Sequence, residues 1–156
     1  FKQLISYRFL IASEFWVFLN LILALFMSIP AINRYTHGTH ITVAHAMGTT
    51  IGINSMILLG SFAYLLKIDD IQMKQKKIFH AGFLIIQISL AIFWLSLIAA
   101  GVFSAYDQTY LGIKTYASVI PSVVTSLYVF ATAGLFMLIG FAIIIPYFFK
   151  GISKSK

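Results

Sequence analysis

The stretch HGTHITVAHAMGTTIG, residues 37–52, opens one of the four apolar blocks that decide the fold of this chain. It contributes the imidazoles of His37, His40 and His45 and the thioether of Met47. Ionisable side chains are costly in strongly apolar surroundings, and those that occur there usually serve a function. The function of the chain is therefore sought first in this stretch.

Composition and block length predict an integral membrane protein. Hydrophobic residues make up 60% of the chain and charged residues only 10%, whereas a soluble domain carries roughly 25% charged residues. Each apolar block is long enough to cross a hydrocarbon core, which takes about 20 residues. The sequence predicts an all-α membrane domain over residues 1–156 with four transmembrane helices, at about 4–29, 40–66, 78–103 and 119–149. Cysteine is absent, which excludes disulfides and thiolate metal sites.

The distribution of the positive charges predicts the topology. The net charge of +7 does not indicate a nucleic-acid surface, because most cations lie at the start of the first block, between the second and third, or after the fourth. Only Arg34 and Lys114 lie in the other two connections. By the positive-inside rule, both ends and the loop at residues 67–77 are cytoplasmic, and that loop is a solvated turn at headgroup level.

His45 and Met47 have the side-chain chemistry and the spacing of haem ligands. Two positions apart on a helix, their side chains point about 200° apart, so that one helix can offer a ligand on each of two faces. Imidazole nitrogen and thioether sulfur both ligate haem iron. Small residues around them leave room for a macrocycle; they are Ala44, Ala46, Gly48 and Gly52. The alternative is a packed core, with His45 bonded to a neighbouring carbonyl and Met47 filling a gap.

A set of residues in the first two blocks resembles a known family. The set is Phe15-Trp16-Val-Phe18-Leu19-Asn20, Ile29-Pro30, Tyr35, Gly38-Thr39, Thr42, Ala44-His45, Gly48 and Gly52. It is similar to the ninth and tenth helices of the catalytic large subunit of bacterial nitric oxide reductases, members of the haem-copper oxidase superfamily. The resemblance implies that the chain is the last four helices of a twelve-helix subunit in the bacterial inner membrane. The first residue, Phe1, also fits a piece of a larger polypeptide.

The same resemblance assigns roles to the ligand candidates. It implies that His45 is the axial ligand of the high-spin haem b3 at the catalytic site. Relatives carry a second histidine two residues later, as a ligand of the low-spin haem b, and here Met47 stands in that place. Met47 ligates that haem together with a histidine from elsewhere, or another ligand replaces it, or the haem is lost. We favour Met47 because a thioether is itself a competent ligand.

The resemblance also gives His37 a role. It aligns with a histidine beside haem propionates, where calcium is another expected ion; the alternative is an exposed loop histidine. His40 has a weaker claim, and a metal site made of His37 and His40 alone lacks a carboxylate ligand. Glu14 is the only acid inside a predicted membrane helix, and it serves a proton path, a polar patch or the inner headgroups. His80 is predicted to be interfacial.

The resemblance implies a nitric oxide reductase that converts nitric oxide to nitrous oxide in a denitrifying respiratory chain. The expected cofactors are the two haems and a non-haem iron held mainly by residues outside this segment. The expected partners are the remaining helices, membrane lipid, and an electron donor that is a cytochrome c-type subunit, a copper domain or quinol. The alternatives are an oxygen-reducing oxidase, another nitric-oxide-converting relative, or a haem-free four-helix membrane protein with a structural or assembly role.

Overall fold

The computed structural model describes residues 4–68, 73–112 and 115–154, and every regular element in these ranges is helical. The elements are α1 (Ile5–Ser28), α2 (Pro30–Thr36), α3 (His40–Met47), a π-helix (Gly48–Ser55), α4 (Met56–Leu65), α5 (Met73–Tyr110) and α6 (Tyr116–Lys154). Four stretches are long and apolar enough to cross a membrane: Ile5–Ser28, His40–Leu65, Gln75–Tyr110 and Ala117–Ser153. The predicted all-α membrane fold with four such helices is confirmed.

The connection between the first two membrane helices is itself partly helical. The predicted membrane helices leave residues 30–39 as a connection, and within it residues 30–36 form α2. Helix α1 ends at Ser28 because Ile29 is extended, as expected for a residue before proline. Pro30 then occupies the first turn of α2, where its missing N–H costs nothing. Gly38, with φ of +75°, turns the chain into α3.

Helices α5 and α6 extend beyond the apolar blocks that predicted them. The blocks at 78–103 and 119–149 mark only the apolar parts of the sequence. A helix can continue into polar residues at both ends of such a block, because its backbone hydrogen bonds do not depend on an apolar environment. Helix α6 also runs through Pro121 and Pro146 to Lys154. Residues 69–72 of the predicted charged loop, and Lys114, lie outside the described residues.

The core forms where one face of each helix meets its neighbours. Helix α1 packs on α4 and the π-helix, while α5 packs on α6 and α3. Near the start of α1 the Phe9 ring meets the Phe83 ring edge to face, with centroids 5.1 Å apart. The buried residues of α1 recur every three or four positions, the spacing of one helical face. They include Ile5, Phe9, Ala12, Trp16 and Asn20.

Large apolar side chains also cover the outside of the bundle. Several are more than half exposed, among them Phe18, Leu25, Leu58, Leu95 and Phe136. Soluble monomers rarely expose contiguous apolar surface on this scale. These faces suit lipid tails or further helices, and they agree with a multi-pass membrane protein.

Candidate functional site

His45 lies in the last turn of α3, within the second membrane-crossing stretch. Its ring is half-buried, and its Nδ1 atom is buried without a hydrogen-bond partner among the described residues. Buried polar atoms are normally paired. The sequence left open that His45 is a packed residue whose ring bonds to a neighbouring carbonyl. No described carbonyl bonds to its Nδ1. His40 Nδ1, Thr36 Oγ1 and Trp94 Nε1 are also buried without a partner among the described residues.

The backbone at His45 is fixed to α1 by a buried amide. Asn20 is only 2% exposed, and its Nδ2 donates to the His45 carbonyl oxygen (3.0 Å) and to Thr49 Oγ1 (2.6 Å). The Thr49 hydroxyl also donates to the His45 carbonyl, at 3.1 Å. We call residues 45–49, held in this way by Asn20, the anchored turn. Its hydrogen bonds set the position of the His45 backbone relative to α1.

A π-helix begins inside the anchored turn and runs through Gly48–Ser55. π-Helices are rare, usually amount to a single turn, and occur frequently at functional sites. The wider turn brings the Ser55 hydroxyl to the carbonyl of Thr50, five residues earlier, at 2.9 Å. Residues after Met47 therefore depart from the α-helical spacing on which the sequence interpretation relied.

Gly48 and Gly52 give room to other helices rather than to a macrocycle. A Cβ atom on Gly48 would lie 2.7 Å from Asn20 Oδ1 and 3.0 Å from Trp94 Nε1. A Cβ atom on Gly52 would lie 2.5 Å from Trp16 Cγ. For these two glycines the macrocycle interpretation is wrong, because both lie against side chains of α1, and Gly48 also lies against Trp94 on α5. Of the two alanines, Ala44 is fully buried and Ala46 is exposed.

Met47 has a different environment from His45. It is partly buried and packs against the main apolar cluster, whereas the buried Nδ1 of His45 stays unpaired. These surroundings suit a packed methionine, and its thioether remains a ligand by type. His45 and Met47, which the sequence analysis treated as a pair of ligands, therefore have different surroundings in the structure.

His37 and His40 lie on either side of the turn that leads into α3. His37 is exposed at the end of α2, and His40 begins α3 half-buried, with its Nδ1 unpaired among the described residues. Within residues 4–68, 73–112 and 115–154, no group of three histidine or acidic side chains is placed to hold a metal ion. The two histidines thus gain no third metal ligand from this part of the chain.

Among the described residues, two acids lie on helices that contain a candidate membrane span. Glu14 is exposed on α1. Asp107 was missed, because the apolar block ended at residue 103 whereas α5 continues to Tyr110. Asp107 is only 7% exposed, and its Oδ2 accepts a hydrogen bond from Ser122 on α6. Asp107 thus lies four residues beyond the predicted apolar block, near the end of the same helix.

A second polar link between helices lies one helical turn from Asn20. Trp16 is 1% exposed and its Nε1 donates to Gln87 Oε1 at 3.0 Å, while Gln87 Nε2 donates to Met56 Sδ at 3.2 Å. Sequence reasoning gave no role to Gln87, and it used Asn20 only as part of the resemblance. The available signal was the rarity of uncharged amides inside apolar blocks, since such groups usually bond to neighbouring helices.

Comparison with known proteins gives one match. The model of the family described as cytochrome c and quinol oxidase polypeptide I matches residues 4–147, which include α1 to α5 and most of α6. Searches of curated proteins and of solved structures found no match.

Proposed function

The chain belongs to the cytochrome c and quinol oxidase polypeptide I family, and we propose that it is the haem-bearing carboxy-terminal part of a nitric oxide reductase large subunit. The family consists of membrane-bound oxidoreductases of the haem-copper type, which use haem. Reduction of nitric oxide to nitrous oxide, rather than reduction of oxygen, is the specific part of the proposal. Its support is the resemblance of the first two membrane helices to that subunit.

The proposed ligand of the high-spin haem is His45, and the observation that supports the proposal is a backbone held by Asn20 and Thr49 below a ring whose Nδ1 has no partner among the described residues. An imidazole nitrogen is a haem-iron ligand, and the half-buried ring has a nitrogen that no described residue bonds. Fixing the backbone of a ligand residue restricts the directions in which its ring can point. Asn20 and Thr49 provide that restriction through the His45 carbonyl. The residues present thus fit a haem at this position.

Met47 and His37 are the further proposed contacts. Met47 fits a low-spin haem b by the chemistry of its sulfur, although it would have to exchange packing against the main cluster for ligation. His37 is exposed and free to meet haem propionates, beside which calcium is a further candidate. Both assignments rest more on the resemblance than on the geometry.

The chain's own part in the reaction is to hold and orient. When bound, the haems supply the redox chemistry, and the protein supplies position and surroundings. His45 would hold the high-spin haem iron, while Trp16, seated over Gly52, closes the space between α1 and the π-helix. The non-haem iron and the opposite haem ligand would come from the remaining helices, and electrons from a donor subunit or quinol. We place the assembly in a bacterial inner membrane with both ends of this segment cytoplasmic.

The proposal is tested by visible spectroscopy of the purified complex that contains this chain. His45→Ala is expected to remove the high-spin haem signals and nitric oxide consumption, because alanine has no side-chain atom that can ligate iron. Met47→Leu is expected to alter only the low-spin haem spectrum. A His45→Ala complex that keeps its high-spin haem would refute the ligand assignment.

Matched controls lie in the same chain. His40→Ala removes a half-buried histidine of the same helix, and Met27→Leu removes a half-buried methionine of α1. Both variants should keep both haems. A wild-type complex without haem absorbance would favour the structural or assembly alternative, and one that consumes oxygen but not nitric oxide would favour the oxygen-reducing alternative.

A further inference from the structure

Helices α1 and α5 leave an open cleft at the end of the bundle where α1 begins. Its outer part, of about 320 Å³, is lined by Arg8, Lys76, Lys77 and His80. An adjoining part of about 720 Å³ shares Arg8 and His80 and continues to Trp16. Phe83 lines both parts, so the two form one continuous depression, which we call the basic cleft.

The outer part of the basic cleft carries positive charge that no described acid neutralises. Arg8 Nη1 donates to His80 Nδ1, which leaves the guanidinium with further N–H donors and its full charge. Within residues 4–68, 73–112 and 115–154, no carboxylate forms an ion pair with Arg8, Lys76 or Lys77. Arg8 is also half-buried, so its charge is less screened than that of a fully exposed side chain. The site therefore favours an anion.

The inner part of the cleft has the opposite character. From Arg8 to Trp16 the cleft follows α1 for eight residues, or about 12 Å at 1.5 Å per residue. Its wall there is mostly apolar and includes the rings of Phe15, Trp16 and Phe83. A free phosphate ion would leave this wall uncovered, and an uncharged quinone would leave the cations unpaired. One molecule with an anionic head and an apolar tail satisfies both parts.

We propose that the basic cleft binds an anionic phospholipid. The phosphate lies against Arg8 and Lys76, with Lys77 at the rim, and an acyl chain follows Phe83 toward Trp16. Basic pockets between membrane helices are suited to anionic headgroups. The inference does not depend on haem ligation or on the reaction catalysed.

The test is labelling of the purified complex in lipid nanodiscs with phosphatidylglycerol that carries a photoactivatable group in its acyl chain. Peptide mapping is expected to find adducts in residues 11–16 and 83–87. The double variant Arg8→Gln with Lys76→Gln should label at least tenfold less, since each cation near a membrane surface is worth about fivefold in binding. The control, Lys67→Gln with Lys150→Gln, removes two cations outside the cleft and should label as the wild type does.

A second measurement on the wild type keeps the test independent of how the variants fold. Unlabelled phosphatidylglycerol should compete with the probe at least tenfold better than phosphatidylcholine, and added salt should weaken the labelling. Equal competition by the two lipids would overturn the proposal. So would the absence of adducts in the cleft, as expected if another helix of the assembly covers it, or preferential labelling there by an uncharged quinone probe.

Discussion

The anchored turn and the α5–α6 pair are held to their neighbours by different kinds of contact. At the anchored turn, Asn20 on α1 bonds to the backbone of the neighbouring segment. In the middle of the α5–α6 pair, contact is made by apolar side chains such as Phe93 and Phe130, with ring centroids 4.3 Å apart. The buried Ser96 hydroxyl there returns to the carbonyl of Phe93 on its own helix. The exception is Ser122, which donates to Asp107 near the connection between the two helices.

This difference indicates which part of the bundle is built to hold something in place. Between membrane helices the hydrophobic effect is weak, so that packing alone permits small shifts of one helix along another. A hydrogen bond from a buried side chain to a neighbouring backbone fixes the separation more narrowly, because donor and acceptor must stay near 3 Å apart. The anchored turn has such bonds next to His45, and the middle of the α5–α6 pair has none among the described residues.

The largest expected effect comes from adding one methyl group at the anchored side of the bundle. In Gly52→Ala the new Cβ would lie 2.5 Å from Trp16 Cγ and 2.9 Å from Trp16 Cβ. The Trp16 Cβ atom is fixed by the backbone of α1, and Cγ could move only if the whole buried indole turned, so α1 and the π-helix must separate. Overpacking of this kind costs about 1–3 kcal/mol, and we expect the upper end of that range. The thermal unfolding midpoint should fall and the haem spectrum should change.

The control substitution is Gly134→Ala on α6, a position of the α5–α6 pair with room for the methyl group. Its Cβ would lie 3.7 Å from the Phe93 ring, which is ordinary van der Waals contact. Alanine also has the higher helix propensity, so stability should be unchanged or slightly raised. Equal lowering of the unfolding midpoint by both substitutions would show that contact with Trp16 is not what limits the size of residue 52.

Gly52 also shows what sequence reasoning reached and what it missed. Hydropathy predicted the four membrane helices, and it placed His45 and Met47 on the same one. The partner of Gly52 did not, because a small residue indicates a close approach without saying what approaches. The π-helix also made the direction of the Gly52 side unpredictable, since side-chain directions after Met47 no longer follow 3.6 residues per turn.

The ends of the helices and the partners of buried polar groups could not be predicted from the sequence either. Apolar blocks report where the environment is apolar, and they say nothing of helix that continues past it, so that Asp107 was left out of α5. Asn20 was visible as an amide among apolar residues, but its acceptor is a backbone carbonyl on another helix. Every residue has a carbonyl, and therefore no sequence pattern identifies that one.

An intermediate effect is expected when the anchoring amide is removed. Asn20→Leu keeps a similar volume but removes the donor to the His45 carbonyl and to Thr49 Oγ1. Thr49 still donates to that carbonyl, so the loss should be about 1–2 kcal/mol in the free energy of unfolding. We also expect a shift of the high-spin haem absorbance band, which a purely structural role of Asn20 would leave in place.

The comparison for Asn20 is Ser96→Ala in the α5–α6 pair. The Ser96 hydroxyl bonds only within its own helix, so its removal should cost less than about 0.5 kcal/mol and leave the haem spectrum unchanged. An Asn20→Leu complex with wild-type spectrum and stability would show that the amide does not position His45.

The smallest effect is expected at the point where α5 touches the anchored turn. Trp94 Nε1 is buried without a partner among the described residues, and so is Asn20 Oδ1. Trp94→Phe removes the unpaired donor, which favours the variant, and leaves a small cavity, which opposes it. The net change in the free energy of unfolding should be below about 1 kcal/mol.

A double-mutant cycle makes this small effect decisive. The donor Trp94 Nε1 and the acceptor Asn20 Oδ1 lie 3.0 Å and 2.7 Å from the place that a Cβ of Gly48 would occupy. If they are independent, the effects of Trp94→Phe and Asn20→Leu should add to within about 0.5 kcal/mol. A coupling energy above about 1 kcal/mol would mean that the two groups are bonded, directly or through water. Helix α5 would then also help to hold the anchored turn through a hydrogen bond. One face of α5 would make polar contacts with the anchored turn, while another face packs on α6 through apolar side chains.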